Sequence, residues 1–84
     1  MVTANTIDRF LGFDTQKFSP DMANAILAFQ ATNEVQQRVQ ELAEKANFGT
    51  LTEEERSEYF QYIELDEVLM IAKARARKYL AKQV

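Results

Sequence analysis

The sequence contains no cysteine and no histidine among its 84 residues. Without cysteine the chain can form no disulfide bond, thiolate metal site or cysteine nucleophile. Without histidine it lacks the most common general base, the most common metal ligand and the usual partner of a serine nucleophile. These absences favour a protein that is not an enzyme and that uses no cofactor and no metal. The absence of cysteine is also compatible with a reducing cytoplasm.

Long hydrophobic runs and an excess of basic charge are also absent. No stretch approaches the roughly 18 consecutive apolar residues of a membrane span. The opening MVTANTIDRFLGF lacks the basic start and the apolar run of a signal peptide. We therefore expect no membrane association and a cytoplasmic location. The net charge of −3 argues against a generally basic nucleic-acid-binding surface, although a local one remains open.

Glycine and proline are scarce, and their positions divide a single helical domain into parts. Residues 1–18 form an N-terminal packing segment that is predicted to be helical or irregular. Asn5 or Thr6 could cap a short helix there, and Gly12 would end it. The aromatic residues of this segment, which include Phe10, Phe13 and Phe18, are expected to contribute to a core.

The next part, residues 19–48, is predicted to be the first long helix. Ser19 suits the cap, and Pro20 suits the first helical position because its missing N–H needs no partner there. No helix breaker follows before the glycine at position 49, and apolar residues recur at steps of three and four, with a shift of phase around Thr32-Asn33. This predicted stripe contains Met22, Ile26, Phe29, Val35, Val39, Leu42 and Ala46.

Four glutamates within six positions follow a short turn at residues 49–52. Thr52 and Glu55 have the spacing of a capping box, and Glu53 and Glu54 lie where the helix dipole favours negative charge. These glutamates therefore indicate the start of a second long helix over residues 53–82. A carboxylate pair could instead act in acid–base chemistry or bind a cation, but no calcium-loop spacing accompanies it.

The second long helix carries two sets of apolar residues. Its main stripe contains Tyr62, Leu65, Leu69, Ala72, Ala76 and Tyr79. The similar lengths of the two predicted helices and the short turn between them indicate an all-α fold, an antiparallel αα-hairpin. The second set contains Phe60, Ile63, Val68, Met70 and Ile71, which one neighbouring helix cannot cover.

Two explanations remain open for the second apolar set. The N-terminal segment could cover it within the same chain, or it could form the interface with a partner. Two hairpins packed face to face would bury it in a dimeric four-helix bundle. We therefore expect a homodimer or partner interface at Phe60, Ile63, Met70 and Ile71.

The C-terminal part of the second helix is rich in basic residues. They are Lys73, Arg75, Arg77, Lys78 and Lys82. Clusters of this kind contact nucleic-acid phosphates, but they also interact favourably with the negative C-terminal end of a helix. Because their alternation places them on different sides of the helix, interaction with the helix end is preferred as the explanation. Nucleic-acid contact remains the alternative.

The segment NFGTLTEEERSEYFQYIELDEVLMIAKARARKYL resembles the C-terminal half of a family of small bacterial and cyanobacterial helical proteins. The resemblance covers roughly residues 35–80. It depends on Asn47, Gly49, Thr50, Leu51, Thr52, Glu54, Glu55, Tyr59, Leu69, Lys73, Ala74 and Arg75. Genes of this family often neighbour those of HNH-type nucleases. The resemblance thus implies an antitoxin-like or accessory protein whose partner is such a nuclease.

Overall fold

The computed structural model describes residues 2–13 and 18–82. They form four α-helices, which are α1 (Ala4–Leu11), α2 (Pro20–Ala28), α3 (Asn33–Asn47) and α4 (Glu53–Ala81). No β-strand occurs in these two ranges. The predicted all-α class is therefore confirmed. The remaining parts of the predicted N-terminal segment and of the C-terminal end lie outside the described residues.

The chain divides into two compact units. A terminal unit contains residues 1–29 and 67–84, and a central unit contains residues 30–66. The terminal unit therefore includes α1, α2 and the second part of α4. The central unit includes α3 and the first part of α4.

The single long helix predicted over residues 19–48 is wrong, because it is two helices. Its start is as predicted, since the Met22 N–H donates to Ser19 Oγ over 3.1 Å. Helix α2 then ends at Ala28, and its C-cap Phe29 is extended, with a φ of −63° and a ψ of 133°. Thr32 caps α3 by accepting from the Val35 N–H over 3.2 Å. A threonine that bonds the backbone ahead of it competes with helix continuation, which explains the shift of phase in the apolar pattern.

The turn between α3 and α4 has the predicted chemistry. Gly49 adopts a left-handed φ of 68°, and the Thr50 N–H donates to the Lys45 carbonyl over 2.9 Å. The capping box is confirmed in both directions. The Thr52 N–H donates to Glu55 Oε1 over 3.0 Å, and the Glu55 N–H donates to Thr52 Oγ1 over 3.1 Å. Helix α4 therefore begins where the sequence predicts, and it ends within one residue of the predicted position.

The N-terminal helix α1 begins earlier than predicted. Its cap is Thr3, not Asn5 or Thr6, and Thr3 Oγ1 accepts from the Thr6 N–H over 3.2 Å. Gly12 ends the helix with a φ of 81°, as expected. The sequence-based prediction named only Asn5 and Thr6, although a threonine suits the capping position equally well at Thr3.

The core of the terminal unit forms around an aromatic residue of its N-terminal part. Phe18 packs with Ala23 and Ala76, and all three are buried. The Phe13 and Phe18 ring centroids are 3.9 Å apart, which confirms that these two side chains share a core. Tyr79 meets Phe18 edge-on at 5.0 Å and donates its hydroxyl hydrogen to the Phe18 carbonyl over 2.7 Å. Phe10, in contrast, is 88% exposed.

The predicted apolar stripes are partly correct. Leu42 is fully buried in the central unit, and Ala72 and Ala76 are buried in the terminal unit. Leu65 was assigned to the main stripe of α4, but it is 63% exposed. Periodicity gives the direction in which a side chain points, whereas burial also requires another element on that side. Among the described residues, no helix is long and apolar enough to cross a membrane.

Candidate interaction surfaces

Three of the four residues predicted to form an interface lie on the protein surface. Phe60 and Ile63, in the central unit, are 59% and 40% exposed, and Met70, in the terminal unit, is 62% exposed. Ile71 is half-buried. Phe60 and Ile63 are three positions apart on one helix of the central unit, and exposed large apolar side chains that cluster indicate a binding surface more often than single ones do. These residues are therefore the main candidates for contact with another molecule.

The exposure of these residues depends on which side of α4 packs against the other elements of each unit. In the terminal unit Ala72 and Ala76 face the core. Because successive helical residues are rotated by roughly 100°, Met70 lies nearly opposite Ala72. In the central unit Glu58 bonds a side chain of α3, and Phe60 is offset from it by the same two residues. Residues two positions away from those that pack within each unit therefore face solvent.

Ion pairs join α3 to the first part of α4 within the central unit. Arg38 donates from Nε and Nη2 to the two carboxylate oxygens of Glu58, each over 2.9 Å. Lys45 donates to Glu55 over 2.6 Å. Arg38 also pairs with Glu41 over 3.1 Å on its own helix. The glutamates at the start of α4 therefore include two that link helices.

The same contacts shift the acid–base properties of these groups. The hydrogen bond from Lys45, followed by that from the Thr52 backbone, lowers the pKa of Glu55 to about 2. The hydrogen bond from Arg38 lowers the pKa of Glu58, and Glu58 in turn raises the pKa of Arg38. Both carboxylates are thereby held in their charged form, as structural ion pairs require. No group of three or more possible metal ligands occurs in residues 2–13 and 18–82.

The basic residues of α4 do not form one uniform surface. Arg75 is half-buried, and its Nε donates to Asp8 of α1 over 2.8 Å. Lys73 is also half-buried, whereas Arg77, Lys78 and Lys82 are exposed. The Arg75–Asp8 pair joins positions 67 residues apart, so no local sequence signal indicates it. Only three of the five predicted nucleic-acid contacts are left fully accessible.

The two most exposed phenylalanines of the described residues were not among the predicted interface residues. Phe10 on α1 is 88% exposed and Phe48 at the end of α3 is 81% exposed. For Phe48 a signal existed, because the glycine that follows it marks a helix end, where side chains often face solvent. For Phe10 the apolar periodicity gave the opposite expectation.

Charge is distributed very unevenly between the two units. The central unit contains nine carboxylates and three cations, which gives a net charge of −6. The terminal unit contains seven cations and four carboxylates, which gives +3. Together these values account for the net charge of −3. Each unit therefore favours contact with molecules whose charge is opposite to its own.

Comparisons of the chain with protein-family models, with curated proteins and with solved structures gave no match.

Proposed function

We propose that this chain is a small non-catalytic helical protein-interaction module that forms a homodimer through the outward residues of α4. The observation that carries the proposal is the exposure of Phe60, Ile63 and Met70, which are 59%, 40% and 62% accessible. Burying such side chains against a partner removes apolar surface from water and so favours association. The proposal assigns no catalysis, because the sequence offers no histidine and no cysteine. It includes a cytoplasmic location.

The proposed architecture is an antiparallel hairpin of α3 with the first part of α4. Its support is the order of the ion pairs. Lys45 and Glu55, which are 10 residues apart, lie close to the turn, whereas Arg38 and Glu58, which are 20 apart, lie further from it. Contacts with this order are typical of two helices that run in opposite directions. Two hairpins would then form the dimeric four-helix bundle.

A partner protein is the second part of the proposal. The family resemblance implies an HNH-type nuclease as that partner, with this chain as its antitoxin-like or accessory protein. The net charge of −6 on the central unit supports such a partner, because nucleases bind their substrates through positive surfaces. An acidic protein can associate with such a surface in place of the nucleic acid.

The experiment that tests the main proposal compares variants of exposed apolar residues on α4 and outside it. Phe60→Ser and Ile63→Ser are expected to raise the dimer dissociation constant by about tenfold or more, since each removes roughly 1–2 kcal/mol of apolar burial per copy. Phe48→Ser is the matched control, because Phe48 is exposed but lies outside α4. Sedimentation equilibrium measures the constants. Equal effects of all three changes would contradict an interface on α4.

Nucleic-acid binding is the second candidate function. The net charge of +3 on the terminal unit and the exposure of Arg77, Lys78 and Lys82 favour it. Replacement of these three residues by alanine should then abolish a shift in nucleic-acid mobility that weakens as salt rises. The Asp8–Arg75 pair removes one predicted phosphate contact from this candidate. Binding that does not depend on salt concentration would refute it.

A further inference from the structure

The outward face of α4 in the terminal unit has an ordered pattern of charge and size. The residues on it recur at steps of three or four and are Glu67, Met70, Ile71, Ala74 and Lys78. All of them are exposed except Ile71, which is half-buried. We refer to these five residues as the outer face. It begins with an acid, ends with a base and is apolar between them.

The two charged residues of the outer face are available for contact with another molecule. Glu67 and Lys78 are 11 positions apart, which corresponds to about 16 Å along a helix. The ion pairs within the described parts of the chain use other residues. Both side chains therefore lie at opposite ends of an apolar patch without an ion-pair partner among the described residues.

This pattern is complementary to itself when it is reversed. If two copies of α4 run antiparallel and the two-fold axis passes between positions 72 and 73, Glu67 of each copy lies opposite Lys78 of the other. In the same arrangement Ile71 lies opposite Ala74, so a large side chain meets a small one on both sides of the axis. Interdigitation of large and small residues is what close helix packing requires.

Building on the homodimer proposed above, but with a contact that lies in the terminal unit and excludes Phe60 and Ile63, we propose that the outer face binds the outer face of a second copy in this antiparallel orientation. A two-fold interface requires a patch that complements itself, and two pairs of the outer face meet this requirement, Glu67 with Lys78 in charge and Ile71 with Ala74 in size. A parallel arrangement would place Glu67 against Glu67 and Lys78 against Lys78, and like charges in contact oppose association. A different partner protein would not require an internally reversed pattern.

The decisive experiment exchanges the two charges. Glu67→Lys and Lys78→Glu each place like charges at both ends of the antiparallel contact, and each should raise the dissociation constant by about tenfold or more. The double variant Glu67→Lys/Lys78→Glu restores both opposite-charge contacts, so its constant should return to within about threefold of the original. An equimolar mixture of the two single variants should form a heterodimer more tightly than either variant forms a homodimer.

Matched controls separate this contact from a general effect of net charge. Asp66→Lys and Arg77→Glu make the same changes of charge at exposed neighbouring positions, each rotated by roughly 100° around the helix from the residue that it controls. Both should leave the dissociation constant within about threefold of its original value, since exposed charges outside the contact interact weakly. Far-ultraviolet circular dichroism verifies that every variant keeps its helices.

A second measurement tests the orientation without placing like charges against each other. Because the chain has no cysteine, Glu67→Cys and Lys78→Cys each introduce a unique thiol. A short thiol-specific cross-linker should join the two variants to each other in a mixture and should join neither variant to itself. Self-linking at both positions would overturn the antiparallel orientation.

The outcomes distinguish this inference from the function on which it depends. A wild-type chain that remains monomeric contradicts the homodimer and the inference together. A wild-type dimer that responds to Glu67→Lys and Lys78→Glu no more than to the two control changes contradicts the outer-face contact and leaves the homodimer standing. A double variant that is weaker than both single variants also refutes the antiparallel pairing.

Discussion

The hydrogen bond from Tyr79 to the backbone of Phe18 provides a sharp test of the terminal core. Tyr79→Phe removes only the hydroxyl group, which lies 2.7 Å from the Phe18 carbonyl. The edge-on contact between the two rings, with centroids 5.0 Å apart, remains possible for phenylalanine. The change therefore isolates the hydrogen bond from the packing.

The expected loss of stability follows from the net value of such a bond. A hydrogen bond between uncharged groups contributes about 0.5–1.5 kcal/mol to the free energy of unfolding, and a carbonyl left without a partner adds to the cost. For a domain of this size a loss of about 1 kcal/mol lowers the Tm by roughly 4–8 °C. We therefore expect Tyr79→Phe to lower the Tm by several degrees.

Urea denaturation followed by circular dichroism at one fixed protein concentration measures this loss. Tyr62→Phe is the matched control, since it deletes a hydroxyl group from a half-buried tyrosine of the same helix whose side chain makes none of the hydrogen bonds between described residues. It should change the free energy of unfolding by less than about 0.5 kcal/mol. Equal effects of the two changes would refute the role assigned to the Tyr79 hydroxyl group.

Three further predictions concern the central unit. Thr32→Ala removes the cap of α3 and should cost about 1 kcal/mol of stability, whereas Thr50→Ala in the turn should cost less in the same urea titration; the reverse order would contradict the capping role. Gly49→Ala should destabilise by about 1 kcal/mol because the φ of 68° disfavours a side chain, although a Cβ there meets no atom within 4 Å; an unchanged or raised Tm would oppose this reasoning. Because the pKa of Glu55 is lowered from 4.5 to about 2, the stability that its charge contributes is complete above pH 4.5 and is lost as pH falls toward 2. Glu55→Gln should therefore flatten the dependence of Tm on pH in that window, and a dependence as steep as that of Glu53→Gln would contradict the assignment.

Sequence predicted the features that depend on neighbouring residues. Ser19, Gly12, Gly49 and the Thr52–Glu55 pair act within a few positions of the helix end that each one defines. Their chemistry is therefore visible in a short window of sequence. The start of α4 and the turn before it were predicted for this reason.

The features that escaped prediction depend on competition or on distance. At residues 29–32 the capping by Thr32 overrides a helical periodicity that is continuous apart from a shift of phase. The Arg75–Asp8 pair joins residues 67 positions apart. The exposure of Leu65 depends on which elements surround it. The ion pair and the exposure of Leu65 are therefore not decided within one turn of helix.

Self-association of the unmodified chain is the most direct test of the central claim. Sedimentation equilibrium should be measured from about 1 to 100 μM, a range that covers dissociation constants of modest interfaces. We predict a weight-average mass that rises from the 9.7 kDa of one chain toward twice that value. A mass that stays at 9.7 kDa throughout would contradict the claim that α4 binds a second copy.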